Sequence, residues 1–198
     1  MTYQIRKAAV IGSGTMGGGI AALLAGVGVE TTLLDIPARD TQPGDPPAKR
    51  NAVVNEGVKR LQALRPPQVL ANGDLDLLRT GNIDDNLDWL ADADWVIEVV
   101  VERLDVKRDL LARVDAARKP RSIVSSNTSG IPIAALAEGR SEDFRRHWLG
   151  THFFNPPRYL RLLEVIPTPE TDPAVVEAVR RFADHRLGKG VVIAKDTP

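Results

Sequence analysis

The sequence predicts an α/β fold built on a doubly wound, mostly parallel sheet. Two observations carry that prediction. Short apolar runs of strand character alternate with helical spacings along most of the chain. The first such run also enters a glycine-rich turn that opens directly into a helix, the kind of crossover that parallel strands need.

Taken in order, Lys7-Ala8-Ala9-Val10-Ile11 reads as a short buried strand. Gly12-Ser13-Gly14-Thr15-Met16-Gly17 follows, then an apolar helical stretch over 20–27 and a second strand over 31–34 that ends in Asp35. Four prolines (Pro37, Pro43, Pro46, Pro47) make the next stretch an irregular loop. Residues 48–64 carry Val54, Val58, Leu61 and Leu64 on one helical face, and Pro66-Pro67 stops them. A shorter helical piece over 74–78, a brief strand over 81–83 and a helical turn over 87–90 come next. The segment from about 47 to 80 is thus a helical excursion inserted after the second strand.

Alternation then resumes. Strands are predicted over 95–100, 122–126, 148–153, 162–166 and 191–194, with helices over 105–117 and 133–137. Asp172 caps a further helix from Pro173, at its first position, to about Leu187, where Gly188 ends it. Nothing repeats and no tract is of low complexity, so residues 1–198 read as one domain.

Composition narrows the function. Twenty-six basic residues balance twenty-six acidic ones, so no global charge draws the chain to nucleic acid or an anionic membrane. The absence of cysteine excludes disulfides, zinc–thiolate sites and a cysteine nucleophile, and fits a cytoplasmic protein. The uncharged run 8–29 is long enough to mimic a membrane span or a signal peptide. Gly-Ser-Gly-Thr interrupts it and it continues into a strand, so burial in a sheet is the better reading. No histidine has metal-ligand spacing, and no metal is expected.

The opening strand, turn, helix and strand form a βαβ dinucleotide-binding pattern of Rossmann type. Gly12 permits the tight turn, Gly14 lets backbone approach a pyrophosphate on the helix N-terminus, and Gly17 lets the helix pack close to the sheet. Ser13, Thr15 and Met16 complete the turn. Asp35 is placed to accept from an adenosine ribose, which favours NAD over NADP, with Arg39 the one nearby residue that opposes this.

Ligands of such sheets bind beyond the carboxyl ends of the strands. His152 sits at one of those ends beside Asn155, where a general base would stand. Glu164 lies inside an apolar strand and needs a partner. Pairing with His152 would supply one, and a structural carboxylate bonded to backbone or arginine is the alternative. The polar cluster Ser125-Ser126-Asn127-Thr128-Ser129-Gly130 ends another strand, facing the same crevice, and a serine there can also cap the helix that follows. His147, beside Arg145 and Arg146, and His185, late in a helix, read as surface residues. Lys49, Arg50, Lys59, Arg60 and Arg65 make residues 48–65 basic: either a solvated helix face or a meeting place for phosphates.

The glycine turn, Ser126-Asn127-Thr128-Ser129, Thr151-His152-Phe153-Phe154-Asn155-Pro156, Leu163-Glu164-Val165-Ile166 and Lys195-Asp196-Thr197-Pro198 together resemble the NAD-binding domain of the L-3-hydroxyacyl-CoA dehydrogenases. The resemblance covers essentially the whole chain. The wording of 96–102 and 188–194 is most similar to long multifunctional bacterial forms with an enoyl-CoA hydratase-like domain further on. The resemblance implies oxidation of (S)-3-hydroxyacyl-CoA in fatty-acid β-oxidation, with His152 as catalytic base, Glu164 as its orienting partner and Ser129 contacting the substrate oxygen. It implies that Glu102, Lys107, Ser129 and Asn155 surround the nicotinamide half of NAD. Gly130 departs from the more common second serine. The family also continues past Lys195-Asp196-Thr197-Pro198 into a helical domain, an expected partner in the same parent chain. Two other readings stay open: a different NAD-dependent hydroxy-acid dehydrogenase, and a non-catalytic nucleotide-binding module.

Overall fold

The computed structural model describes residues 3–197. Eight strands form one sheet: β1 (Lys7–Ile11), β2 (Glu30–Asp35), β3 (Leu78–Asn82), β4 (Trp95–Glu98), β5 (Ile123–Ser126), β6 (Trp148–Phe153), β7 (Leu162–Pro167) and β8 (Gly190–Ile193). Their spatial order is β3-β2-β1-β4-β5-β6-β7-β8. β1 to β6 are mutually parallel, β7 runs antiparallel to β6, and β8 is parallel to β7. Chain order reverses direction between β1 and β4, which makes the gap beyond their carboxyl ends the switch-point crevice.

Helices cover both faces, so the central strands are buried on both sides, their polar members Glu98, Ser125, Ser126 and Thr151 included. On one face Val10, Ile20, Leu24, Trp95, Ile97 and Val179 share a core; on the other Ile11, Leu34, Val96, Leu111, Phe144 and Trp148 do. Adjacent residues of one strand, such as Val96 and Ile97, thus enter opposite cores.

Helix α1 (Thr15–Ala25) begins earlier than the predicted 20–27. Its glycines are packing surfaces rather than extra turn. A Cβ on Gly17 would lie 1.8 Å from the Gly12 carbonyl oxygen, and one on Gly19 would lie 2.6 Å from the Pro157 ring. The uncharged run 8–29 is divided between β1 and α1, and among the described residues no helix is long and apolar enough to cross a membrane.

The excursion forms as two helices rather than one, α2 (Pro47–Arg50) and α3 (Ala52–Ala63), broken at Asn51. A 3-10 turn at Asn72–Leu77 leads into β3, which starts before the expected 81–83 and pairs with β2. Helix α4 spans Leu104–Ala117, α5 Ile133–Leu136 and α7 Pro173–His185. Pro173 opens α7 and the Asp172 carboxylate accepts from the Ala174 N–H, as the sequence indicates.

One element was illegible as a helix. Residues 141–147 read as a polar run, yet Ser141 caps α6 (Glu142–Arg146) by accepting from the Phe144 N–H, and Phe144 is buried. That turn drives His147 inward, which corrects the expectation of a surface residue. His147 is buried; the Tyr3 hydroxyl lies 2.8 Å from Nε2, and Nδ1 lies 2.6 Å from the Asp143 carbonyl oxygen. His185 is exposed, as expected.

Candidate functional site

The glycine turn is rigid where it meets the sheet and open where it faces the crevice. Gly12 has φ +109°, and a Cβ there would lie 2.4 Å from the Val99 carbonyl oxygen. At Gly14 a Cβ would meet nothing within 4 Å. With glycine at its N-cap, α1 has no side-chain cap and no acid in its first turn. The first amides of α1 are therefore free to bind an anion. These residues fit a pyrophosphate.

Asp35 stands beside that turn at the end of β2. Its Oδ2 accepts from both the backbone N–H and the hydroxyl of Ser13, each at 2.6 Å, and Oδ1 accepts from the Ile36 N–H at 2.7 Å. Ser13 is buried, so Asp35 braces the turn. A carboxylate has about four acceptor directions, and those left over remain for a ribose.

Across β1, the ends of β4 and β5 carry a second cluster. Lys107 of α4 is 1% exposed and donates to Glu98 at 2.7 Å; its ammonium also lies 3.2 Å from Glu102. Glu98 itself is fully buried, accepting further from the Val100 N–H at 2.6 Å and the Ser126 hydroxyl at 2.5 Å. Glu102 accepts from the Thr128 hydroxyl and from the Ser129 and Gly130 N–H groups at 3.1 Å. Burial opposes ionisation of Glu102, but the Thr128 hydroxyl, the Lys107 charge and the Gly130 N–H outweigh it and hold its carboxyl below the usual range. Ser129 stays exposed on top of this frame.

The third cluster comes from the antiparallel pair. Register sets His152 directly opposite Glu164, and His152 Nδ1 lies 2.8 Å from Glu164 Oε2. A carboxylate only accepts, so Nδ1 donates and the Nε2 lone pair is left facing outward. The open choice for Glu164 closes on the histidine partner. Phe154 lies against the imidazole, ring centroids 4.4 Å apart. The Asn127 side-chain oxygen accepts from the Phe153 N–H at 2.8 Å, tying the β5 turn to the end of β6. Lys189 is buried and donates to the Pro157 and Leu160 carbonyls, the latter at 2.6 Å, which fastens the β6–β7 hairpin. Burial and the nearby Arg158 push its ammonium down to about 8.

Three groups of expected residues therefore assemble: Gly12 to Gly17 with Asp35, Glu102 with Lys107 and the Ser129 backbone, and His152 with Glu164. Lys107 sits behind Glu102 rather than at the crevice surface. Asn155 is exposed on the hairpin past His152 and takes no side-chain hydrogen bond among the described residues. Arg50 corrects the reading of a uniformly basic helix face: it is buried and paired with both oxygens of Asp85, at 2.5 and 2.8 Å. Glu98 is a charge inside an apolar strand, as Glu164 is, and joins the site without having been expected there.

A phosphate-ready turn, a ribose-side acid and a histidine–carboxylate pair at neighbouring strand ends define the cofactor domain of a nicotinamide-dependent oxidoreductase. The family model described as 3-hydroxyacyl-CoA dehydrogenase, NAD binding domain, matches residues 7–197, and the chain belongs to that family. It is similar to a probable 3-hydroxyacyl-CoA dehydrogenase of Deinococcus radiodurans, 51% identical over 195 residues covering 98% of this chain and 55% of that protein. A probable 3-hydroxyacyl-CoA dehydrogenase of Bacillus subtilis is 48% identical over 206 residues, covering 100% of this chain and 26% of that protein. The crystal structure of 3-hydroxybutyryl-CoA dehydrogenase from Escherichia coli aligns with a TM-score of 0.82 at 30% identity, over 98% of this chain and 39% of that one. The chain thus spans about half the length of the first relative and about a quarter of the second.

Proposed function

We propose that this chain is the cofactor-binding part of an enzyme that oxidises (S)-3-hydroxyacyl-CoA to 3-ketoacyl-CoA in fatty-acid β-oxidation, in the cytoplasm. The observation that carries the proposal is the His152–Glu164 pair, 2.8 Å apart at the sheet edge where the parallel strands end. Glu164 holds Nδ1, so Nε2 of His152 takes the proton of the substrate 3-hydroxyl as the ketone forms. Glu164 then stabilises the imidazolium, and in reverse Nε2 returns the proton to the developing alkoxide. Bound NAD⁺ supplies the redox chemistry by accepting the hydride from C3.

The remaining residues orient and bind. Ser129 faces the substrate oxygen. Glu102 and Asn155 border the nicotinamide half, with Lys107 supporting Glu102 from behind. Lys59, Arg60 and Arg65, all exposed on or after α3, offer charge to the phosphates of CoA. The greater length of the relatives supports a further domain of the same parent chain as the partner that completes the acyl pocket.

The test is substrate-dependent NADH formation by the parent protein with 3-hydroxyacyl-CoA thioesters and with free 3-hydroxy acids. Turnover should require the thioester. His152→Ala should lower kcat by about a hundred- to ten-thousand-fold with NAD affinity unchanged. Glu164→Gln, which keeps the shape and removes the charge, should lower kcat by a smaller factor. Parent-like kcat in His152→Ala would overturn the proposal.

A further inference from the structure

Stability does not explain one charge in this molecule. Lys107 already has a counter-ion in Glu102, 3.2 Å away, yet Glu98 adds a second carboxylate at 2.7 Å with no exposed surface at all. Burying a surplus charge is costly even when it is hydrogen-bonded. Nor does shape require it. A glutamine at 98 would keep an oxygen for the Val100 N–H and the Lys107 ammonium, and an amide beside the Ser126 hydroxyl. What only the carboxylate supplies is charge: two anions and one cation leave the trio with one net negative charge.

Its place in the fold gives that charge a target. Asp35, at the end of β2, marks the adenosine side of the crevice. β4 and β5 lie on the other side of β1, so the nicotinamide end of a dinucleotide comes to the side of Glu98 and Glu102. Nicotinamide is cationic in NAD⁺ and neutral in NADH. Away from water, such a charge is felt across several ångströms. Arg103, the nearest exposed cation in sequence, is paired with Asp105 and leaves the field of the trio in place.

We propose that Glu98 is a positioning residue that sets the redox preference of the cofactor site: it holds Lys107 and Ser126, and its surplus charge favours NAD⁺ over NADH. The proposal rests on NAD binding across this crevice. Glu98 is fully buried, so it acts through the net charge of the trio rather than by contact with the cofactor.

Calorimetry with NAD⁺, NADH and ADP-ribose tests it. In Glu98→Gln the ratio of NAD⁺ to NADH affinity should fall about five- to tenfold, the effect of one charge at moderate distance and dielectric. ADP-ribose, which lacks nicotinamide, should bind within about twofold of the parent. The double variant Glu98→Gln/Lys107→Met restores one net negative charge through Glu102 alone, and its ratio should return to that of the parent. Glu102→Gln removes a charge from the partly exposed end and should shift the ratio in the same direction, which keeps the test intact if Glu98→Gln does not fold. Equal weakening of NAD⁺ and NADH, or a double variant that stays shifted, would overturn the proposal while ADP-ribose binding leaves the cofactor reading standing. A parent chain that binds neither ADP-ribose nor NAD⁺ would sink both.

Discussion

Asp35 serves two partners with one carboxylate. Its Oδ2 is committed to Ser13 and its Oδ1 to the Ile36 N–H, and its unused acceptor directions are those proposed for a ribose. A 2′-phosphate there would meet an anion already fixed in position. The chain should therefore bind NAD(H) at least about tenfold more tightly than NADP(H), and Asp35→Asn should narrow that gap. Asparagine is the informative change because its oxygen still accepts from the Ser13 N–H, so the turn keeps its brace. Equal binding of the two cofactors by the parent, measured calorimetrically, would show that Arg39 outweighs Asp35. At this scale legibility followed chemistry that sequence can display. Glu164 stood out as an acid in an apolar strand, and its partner was the histidine twelve positions earlier because the hairpin register brings them together. Glu98 carries the same signal, but its partners, Lys107 and Ser126, lie on other elements and only packing unites them. His147 and Arg50 misled for the opposite reason. Both sit among polar neighbours in sequence, and burial is decided by where the short helices α6 and α2 turn them.

Helix α3 is where the excursion meets the cofactor turn. A Cβ on Gly57 would lie 2.5 Å from the Ser13 hydroxyl oxygen and 2.6 Å from the Ser13 carbonyl oxygen. Ser13 in turn holds Asp35, so the helix, the glycine turn and the ribose acid share one tight contact. Gly57→Ala illustrates a conflict between local and tertiary preference. In an exposed helix it would be stabilising by about 1 kcal/mol. Here the backbone oxygen of Ser13 cannot swing aside as a flexible side chain would, and α3 must move away. The variant should melt at a lower temperature than the parent and lose several-fold in affinity for NAD and ADP-ribose alike, because the disturbance lies on the adenosine side. A higher melting temperature with unchanged affinity would show that the contact is slack. The excursion was legible from its prolines and its Val54–Leu61 face, but the break at Asn51 was not. Nor was the early start of α1, because glycines that pack and glycines that turn look alike until a second element lies against them.

Over the whole molecule, the residues proposed to hold the cofactor lie within one sheet and its helices, next to an exposed apolar strip. The pyrophosphate turn, Asp35 and the Glu98–Lys107–Glu102 frame all lie within the sheet and its own helices. On the β7–β8 side, by contrast, Tyr159, Leu160, Leu162, Val192 and Ile193 are all exposed. Exposed apolar side chains gathered this way are the kind of surface on which a further domain of a longer parent chain would sit. The order of the elements explains why this was partly readable: alternating strands and helices announce a parallel sheet, whereas the reversal at β7 depends on a hairpin whose direction a strand prediction does not give. The two properties should come apart experimentally. Cofactor affinity needs only groups that this chain holds, so calorimetry should show NAD(H) binding by residues 1–198. Turnover needs water excluded and the substrate held against the nicotinamide, which a further domain of the parent chain would provide. With 3-hydroxyacyl-CoA, single-turnover NADH formation by this chain should be at least about a hundredfold slower than in a parent as long as the relatives. Parent-like rates from residues 1–198 would mean that His152, Ser129 and Asn155 bind and orient the substrate unaided, and that the exposed apolar strip serves another purpose.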